Sequence, residues 1–401
     1  MGCTQRPFRE DTMRTALLAA GAAVMLAATP AAAQQKSVKI GFVSTFSGPA
    51  AAIGNDMRNA FELALDHMGR KMGGLPVEVI YEDDSLKPEV GKQKTEKLIE
   101  SDKVDFVSGY IWSNVVYASY KPIVDAKTFL VIANAGETRL AGENCSPYIF
   151  STSWTNDQNP IAVADYMNAK GVKSVYLIGP NYAAGKENLG GFKSAYKGKV
   201  LGEDYTTWPS QLDFSAELAK AKAAKPEAVY MFYPGAAGVQ FLNQYAQAGL
   251  KETIPLYTTF SIDSLSLPHQ KDAAVGVISA LEWTADFTND TNTKFVGDFK
   301  KKFGSEPSFY AAQSYDAAML IGSAVAGVKG NLSDKAAVQK ALEKADFKSV
   351  RGDFKFGSNH YPTQNFYMQQ VVKQGDAYTQ KTIATAEKNV PNPHASKCSM
   401  K

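Results

Sequence analysis

The residues best able to do chemistry in this chain are few and scattered. Its four histidines, His67, His269, His360 and His394, stand at no metal-ligand spacing from one another or from a cysteine. Cys145 has no histidine nearby to draw off its proton. No Gly-x-Ser-x-Gly elbow, phosphate loop or dinucleotide fingerprint follows a β-rich run. Asp83-Asp84 could be imagined as paired acids, but more readily ends a strand and faces solvent or a hinge. The expectation is a protein that is not an enzyme, with no catalytic residues, no metal and no cofactor. Binding chemistry is better represented. Ser113 follows the β-rich run Val104–Ser108 and precedes a helical pattern, and a hydroxyl beside helix N-terminal amides suits an anion. Asn114 is adjacent. In the loop 133–138, small residues let backbone amides approach a ligand closely, with Asn134, Ala135 and Gly136 as candidates. Tyr182, Tyr233, Phe260 and Tyr310 stand near the ends of strands or starts of helices, where aromatic rings can cover a ligand, and Trp112 and Ile53 can line its walls.

The segments that must position these residues alternate short β-rich runs with helical patterns, which indicates an α/β protein with largely parallel sheets. Strands are expected at Val38–Ser44, Val77–Tyr81, Val104–Ser108 and Phe129–Ala133, with helices at Asn55–Met68, Pro88–Ser101 and Val115–Ala126 between them. The rhythm restarts after residues 151–155. Strands Ser174–Ile178, Ala228–Tyr233 and Pro255–Thr259 then interleave with helices Asp157–Lys170, Glu187–Tyr196, Ala216–Ala224 and Val239–Ala248. From Val275 the pattern breaks into pieces too few for a third module: strand Val275–Leu281, helices near 293–303, 310–328 and 335–343, and strand Asn365–Val372. They are expected to complete both earlier modules, the chain crossing between lobes more than once.

Residues 1–33 carry a signal-peptide pattern: Arg14, an apolar run Ala16–Ala28, and Ala31-Ala32-Ala33 as a small-residue cleavage site. Pro30 interrupts the run, against a spanning anchor, and Cys3 precedes it, against a lipoprotein. A cleaved leader implies a periplasmic protein. It leaves about 365 residues, roughly two domains. Lys and Arg total 43 against 40 Asp and Glu, with no basic block, so nucleic acid and anionic membrane are poor partners. Two cysteines remain, Cys145 and Cys398; an oxidising compartment would pair them and pin the tail, the alternative being two free thiols far apart.

In this order and spacing the motifs resemble a known family. Ser47-Gly48-Pro49 with Gly54, Tyr81-Glu82-Asp83-Asp84, Gly109-Tyr110-Ile111-Trp112-Ser113, Asn181-Tyr182-Ala183-Ala184-Gly185, Phe214-Ser215 and 244–250 (QYAQAGL) resemble a periplasmic substrate-binding protein of ABC importers, type I fold, in the group that includes leucine/isoleucine/valine-binding proteins. The resemblance covers nearly all of the chain after the leader. It implies two Rossmann-like lobes joined by three crossovers, closing on a ligand by hinge motion. On that basis lobe one takes residues 36–153 and 284–360, lobe two 154–283 and 361–390, and 391–401 form a tail. It also implies an inner-membrane ABC permease as partner and a monomeric receptor.

The resemblance assigns roles to the candidates. Ser113 matches a serine that hydrogen-bonds a ligand carboxylate, and Tyr182 a tyrosine reaching the ligand from lobe two. The loop 133–138 matches one that supplies an amide and a hydroxyl, but carries Ala133 and Asn134 where serine and proline are usual. Tyr233 and Tyr310 stand where an aromatic ring often covers the ligand. Amino-acid-binding members place an acid after the strand 255–259 to pair with the ligand ammonium; here the residue is Phe260. A buried ammonium without a partner is costly, so the expected ligand is a carboxylate without an amine, such as a benzoate-, cinnamate- or arylpyruvate-like acid. Asp263 leaves a branched-chain or aromatic amino acid open as the alternative, should it take the acid's place. A sensor of the same fold would be expected to carry a fused membrane or signalling segment. The chain ends at Lys401, which favours transport.

Overall fold

The computed structural model describes residues 37–400, together with Met1. The leader expected over residues 1–33 therefore lies outside the described residues, save for Met1. The first half begins with β1 (Val38–Ser44), α1 (Ala51–His67), β2 (Lys71–Met72), β3 (Leu75–Asp83) and α2 (Pro88–Glu100). It continues through β4 (Phe106–Gly109), α3 (Ser113–Asp125), β5 (Phe129–Ile132), α4 (Thr138–Ala141) and β6 (Ile149–Ser151). Five of these strands run parallel in the order β3-β1-β4-β5-β6, and β2 is antiparallel at the edge. The strands are almost continuously apolar, as expected where helices cover both faces: Val38, Ile40, Phe42 and Val43 of β1, and Phe129 to Ile132 of β5, are buried.

The second sheet begins with α5 (Gln158–Ala169), β7 (Ser174–Pro180), α6 (Ala183–Ala195), β8 (Lys199–Thr206), α7 (Ser215–Ala224) and β9 (Ala228–Met231). Next come α8 (Ala236–Gln247), β10 (Leu256–Thr258), α9 (Leu267–Gln270) and β11 (Ile278–Leu281). The chain then returns to the first sheet with α10 (Asp290–Phe303), α11 (Phe309–Gly327) and α12 (Lys335–Lys344), α11 packing along α1. After β12 (Lys355–Phe356) it re-enters the second sheet as the hairpin β13 (Pro362–Gln374) and β14 (Ala377–Val390). That sheet runs β12-β13-β11-β10-β9-β7-β8, parallel from β11 to β8 and antiparallel at β13. The chain thus passes between sheets three times, after β6, after β11 and at the start of β13.

Two helices begin earlier than their sequence suggests, α1 at Ala51 rather than Asn55 and α6 at Ala183 rather than Glu187. Gly54 and Gly185 look like loop residues but sit in first turns pressed onto the preceding strand. A Cβ on Gly54 would lie 2.0 Å from the Thr45 carbonyl oxygen, and one on Gly185 1.9 Å from that of Pro180. Besides the two-residue β2 and β12, three strands escape the sequence pattern: β6 is only three residues long, while β8 and β14 lie at sheet edges and carry too many polar side chains to alternate cleanly.

The passages between sheets are tied together by buried polar groups. Arg351 donates to the Thr152 carbonyl (2.6 Å) and Gln364 Oε1 (2.8 Å), and pairs with buried Asp316 (3.3 Å). Gln313 donates to Glu282 Oε1 (2.5 Å), which joins the second passage to α11. A disulfide links Cys145 to Cys398 across 253 residues and pins the tail. Asn392 donates to Thr155 Oγ1 (3.1 Å), and His394 bonds Asp157 (2.7 Å).

Candidate ligand-binding site

The lobe-one wall is built from the turn after β4. Tyr110, at φ 59°, sends the chain outward to Trp112, the residue before the first turn of α3. The Trp112 indole Nε1 donates to Thr45 Oγ1 (2.8 Å), and Thr45 Oγ1 donates to Asp84 Oδ1 (2.5 Å). Asp84 is fully buried, and burial pushes its pKa up. The expected solvent- or hinge-facing acids are thus in part interior struts: Asp84 holds Thr45, which holds the indole, while Asp83 accepts the amides of Phe46 and Ser85 (both 2.9 Å).

Ser113 is the first residue of α3 and is buried. Its Oγ accepts from Asn156 Nδ2 (2.9 Å), whose other proton goes to Glu187 Oε2 (2.6 Å). Among the described residues no acceptor takes the Ser113 hydroxyl proton, so the hydroxyl remains a donor beside the cavity it lines. Asn134 is arranged the opposite way. Its Nδ2 donates to the Ile111 carbonyl (2.8 Å) and its buried Oδ1 has no partner. It therefore presents an acceptor where a donor to a carboxylate was expected. Gly136 packs against Asn156: its carbonyl accepts the Asn156 amide (2.8 Å), and a Cβ there would come within 2.7 Å of Asn156 Oδ1.

From the other sheet, Tyr182 precedes the first turn of α6, which also brings Ala184 to the cavity. The Tyr182 ring stacks on Trp208 (centroids 5.0 Å), and Trp208 meets Trp112 at 5.5 Å, so aromatic rings from the two sides touch. Phe232 and Pro234 follow β9, and Phe260 follows β10. Phe260 has φ 57°, an unfavourable conformation for a bulky side chain, and stacks on Trp154 at 4.4 Å. Tyr310, in the first turn of α11, has a buried hydroxyl with no partner. Burial, reinforced by Asp263, Tyr182 and Asp56, holds its pKa well above the usual value.

The cavity is narrow, with a volume of ≈ 30 Å³, well below the ordinary range of ligand pockets, so a ring-sized ligand requires its walls to part. Among the described residues six aromatic side chains line it, Trp112, Trp154, Tyr182, Phe232, Phe260 and Tyr310, and none of the lining residues is a carboxylate, lysine, arginine or histidine. Three helices, α3, α6 and α11, begin at its edge with Ser113, Ala184 and Tyr310 in their first turns. The first turns of α3 and α6 have no side-chain cap, so their amides favour a negative ligand charge, whereas Ser308 caps the Tyr310 and Ala311 amides of α11.

A sequence model of the periplasmic binding protein family matches residues 37–376. The chain belongs to this family. It is 30% identical to a solute-binding protein of an ABC transporter from R. palustris solved in complex with benzoate, a match that covers 91% of this chain and 100% of the other with a TM-score of 0.86. A solute-binding protein from Rhodopseudomonas palustris BisB5, in complex with 3,4-dihydroxybenzoic acid, is 29% identical over 89% of this chain and 99% of the other, with a TM-score of 0.82. Leu/Ile/Val-binding protein homolog 6 of Brucella melitensis biotype 1 is 28% identical over 94% of this chain and 98% of its own length. The two-lobed fold expected from the motifs is the fold of this family.

In this periplasmic binding protein the cavity gathers Trp112, Ser113, Asn134, Gly136, Tyr182, Phe260 and Tyr310. Four other candidates lie elsewhere. Tyr233 is buried in its own lobe, its hydroxyl bonded to Thr206 Oγ1 (2.7 Å) and its ring against Phe214 and Phe241. Side chains alternate along an extended chain, so the neighbours Phe232 and Pro234 face the cavity in its place. Ile53 lines an adjoining groove with Pro49 and Gly235. Asn114 and Ala135 do not line the cavity, because the helix turn and the loop carry their side chains away; the Ala135 amide bonds the Tyr110 carbonyl (2.9 Å). Trp154 and Asn156 were missed, since the first passage between lobes looked like a plain junction; a tryptophan and an asparagine together there were the available signal.

Asp263 does not line the cavity either. Its Oδ1 accepts the amides of Leu265 (2.8 Å) and Ser266 (2.9 Å), and it borders the two neighbouring grooves. Among the described residues no cluster of three or more metal-ligating side chains occurs, and no helix is long and apolar enough to cross a membrane.

Proposed function

We propose that this protein captures an aromatic carboxylate in the periplasm, in the cavity between its lobes, and delivers it to an ABC permease of the inner membrane. The single observation that carries the reading is the composition of the cavity wall: six aromatic side chains, a serine hydroxyl with its proton free, and no carboxylate. A benzoate-, cinnamate- or arylpyruvate-like acid matches it. The ring lies among Trp154, Phe260, Phe232 and Tyr182, and the carboxylate meets the Ser113 hydroxyl and the first-turn amides of α3. The relatives solved with benzoate and 3,4-dihydroxybenzoic acid support the same class. An amino acid would bring an ammonium group to a wall with no acid in it, and Asp263 lies off that wall with its Oδ1 holding two amides.

The moving bodies in this reading are residues 36–153 with 284–360 and residues 154–283 with 361–390, the tail 391–401 remaining fixed by its disulfide. The protein acts as a monomeric receptor and not as a catalyst. A thermal-shift screen against aromatic acids, aliphatic keto acids and amino acids tests the ligand class, because a ligand bound only by the native state raises its melting temperature. Aromatic acids are expected to raise it. A shift given by amino acids alone would remove the aromatic-acid reading.

A further inference from the structure

Two residues of the cavity wall carry buried polar atoms without protein partners, and one of these atoms, Asn134 Oδ1, cannot be met by a carboxylate. Asn134 Oδ1 and the Tyr310 hydroxyl are both buried and without partners, on residues only 6% and 2% exposed. The orientation of the Asn134 amide is fixed by chemistry. Its NH₂ group faces the Ile111 carbonyl at 2.8 Å, which can only accept, and this leaves Oδ1 unpartnered on a residue of the cavity wall. A carbonyl oxygen is a pure acceptor, and a carboxylate placed against it would meet acceptor with acceptor. The Ser113 hydroxyl, by contrast, is a free donor in the same cavity. The wall is therefore divided, with a donor for an anion at Ser113 and an acceptor that calls for a donor at Asn134.

We infer, resting on the aromatic-acid reading above, that the ligand carries a ring hydroxyl which donates to Asn134 Oδ1, and that Asn134 and Tyr310 are the residues that select a hydroxylated aromatic acid over an unsubstituted one. The Tyr310 hydroxyl can donate to or accept from a ring substituent, so it serves the same class of ligand. Leaving a buried acceptor unpaired weakens binding appreciably. A site built to bond a hydroxyl discriminates strongly against the ligand that lacks one.

The test is calorimetric titration of the purified protein with benzoate, the three monohydroxybenzoates and the matching methoxybenzoates. The methyl ether keeps the oxygen and removes the donor. At least one hydroxybenzoate is expected to bind about tenfold to a hundredfold tighter than both benzoate and its own methyl ether. In Asn134→Leu that ratio is expected to collapse toward one, with circular dichroism and the melting curve reporting whether the fold is kept; if Asn134→Leu does not fold, Tyr310→Phe reads the same ratio. Equal affinities for benzoate and every hydroxybenzoate would overturn the inference and leave the aromatic-acid reading standing. Binding of no aromatic acid at all would overturn both.

Discussion

Ser113 illustrates how much the immediate partners of a side chain decide. A serine at a helix start is ordinarily a cap, yet here the position before it is Trp112, and Asn156 occupies one acceptor lone pair of the Ser113 hydroxyl. The proton is left without a protein acceptor among the described residues, free for the proposed carboxylate. Ser113→Ala is expected to weaken carboxylate binding by about 1–3 kcal/mol, read by titration calorimetry, and unchanged affinity would take Ser113 out of the site. Thr45 acts at one remove. Thr45→Val strands the Trp112 indole N–H and leaves buried Asp84 Oδ1 with the Leu86 amide as its remaining donor, so chemical denaturation should show about 1–3 kcal/mol of lost stability. Sequence could point to Ser113 because hydroxyl type and local context suffice for that. It could not show the orientation of Asn134, which depends on the Ile111 carbonyl 23 residues away, nor that Asp84 is an interior strut. Tyr233 went astray for a simpler reason: at a strand end a single residue of register decides which face a ring takes.

At the scale of elements, the fold was legible wherever a segment is buried on both faces. Apolar strands such as β1, β4 and β5 announce themselves, and so does a helix with a regular apolar stripe such as α1, where Met57, Ala60, Phe61, Ala64 and Leu65 are buried. The edge strands β8 and β14 did not, because their half-exposed faces carry charges that hide the alternation. The early starts of α1 and α6 were hidden by Gly54 and Gly185, whose presence reflects contact with a strand carbonyl and not a loop. Gly185→Ala would force its methyl onto the Pro180 oxygen and displace the α6 start that carries Tyr182 and Ala184. A loss of about 1–3 kcal/mol, as for overpacking, is expected in denaturant melts, together with weaker ligand binding. The passages between sheets depend on the Asp316–Arg351 pair, both side chains nearly inaccessible. Arg351→Met leaves Asp316 uncompensated and is expected to cost about 3–5 kcal/mol of stability.

The whole molecule couples its lobes through Glu187. This half-buried side chain on α6 accepts from Thr138 of the opposite lobe (2.5 Å) and from Asn156 (2.6 Å). Burial, with the neighbouring Glu137 carboxylate second, pushes its pKa up to about 8. Freed into solvent by lobe opening, it would return to about 4. On the proposed lobe motion, closure takes up a proton between those values. Its stabilisation is complete below the open-state pKa and falls as pH rises, being lost by about pH 8. Ligand affinity should fall across this window by at most about tenfold per pH unit, and Glu187→Gln should flatten the profile; affinity rising with pH would contradict the sign. The disulfide acts on a different quantity. Replacing Cys145 and Cys398 together by serine is expected to lower stability by about 2–5 kcal/mol, with ligand affinity changed far less, because the bond lies on the tail and not at the cavity.

The central claim is that this binding protein takes an aromatic carboxylate and not an amino acid. Titration calorimetry of the protein with benzoate and 4-hydroxybenzoate, set beside leucine, isoleucine and valine, tests it most directly. The structure predicts saturable one-to-one binding of at least one aromatic acid and no heat of binding from the amino acids. Saturable binding of leucine with silence from every aromatic acid would contradict it.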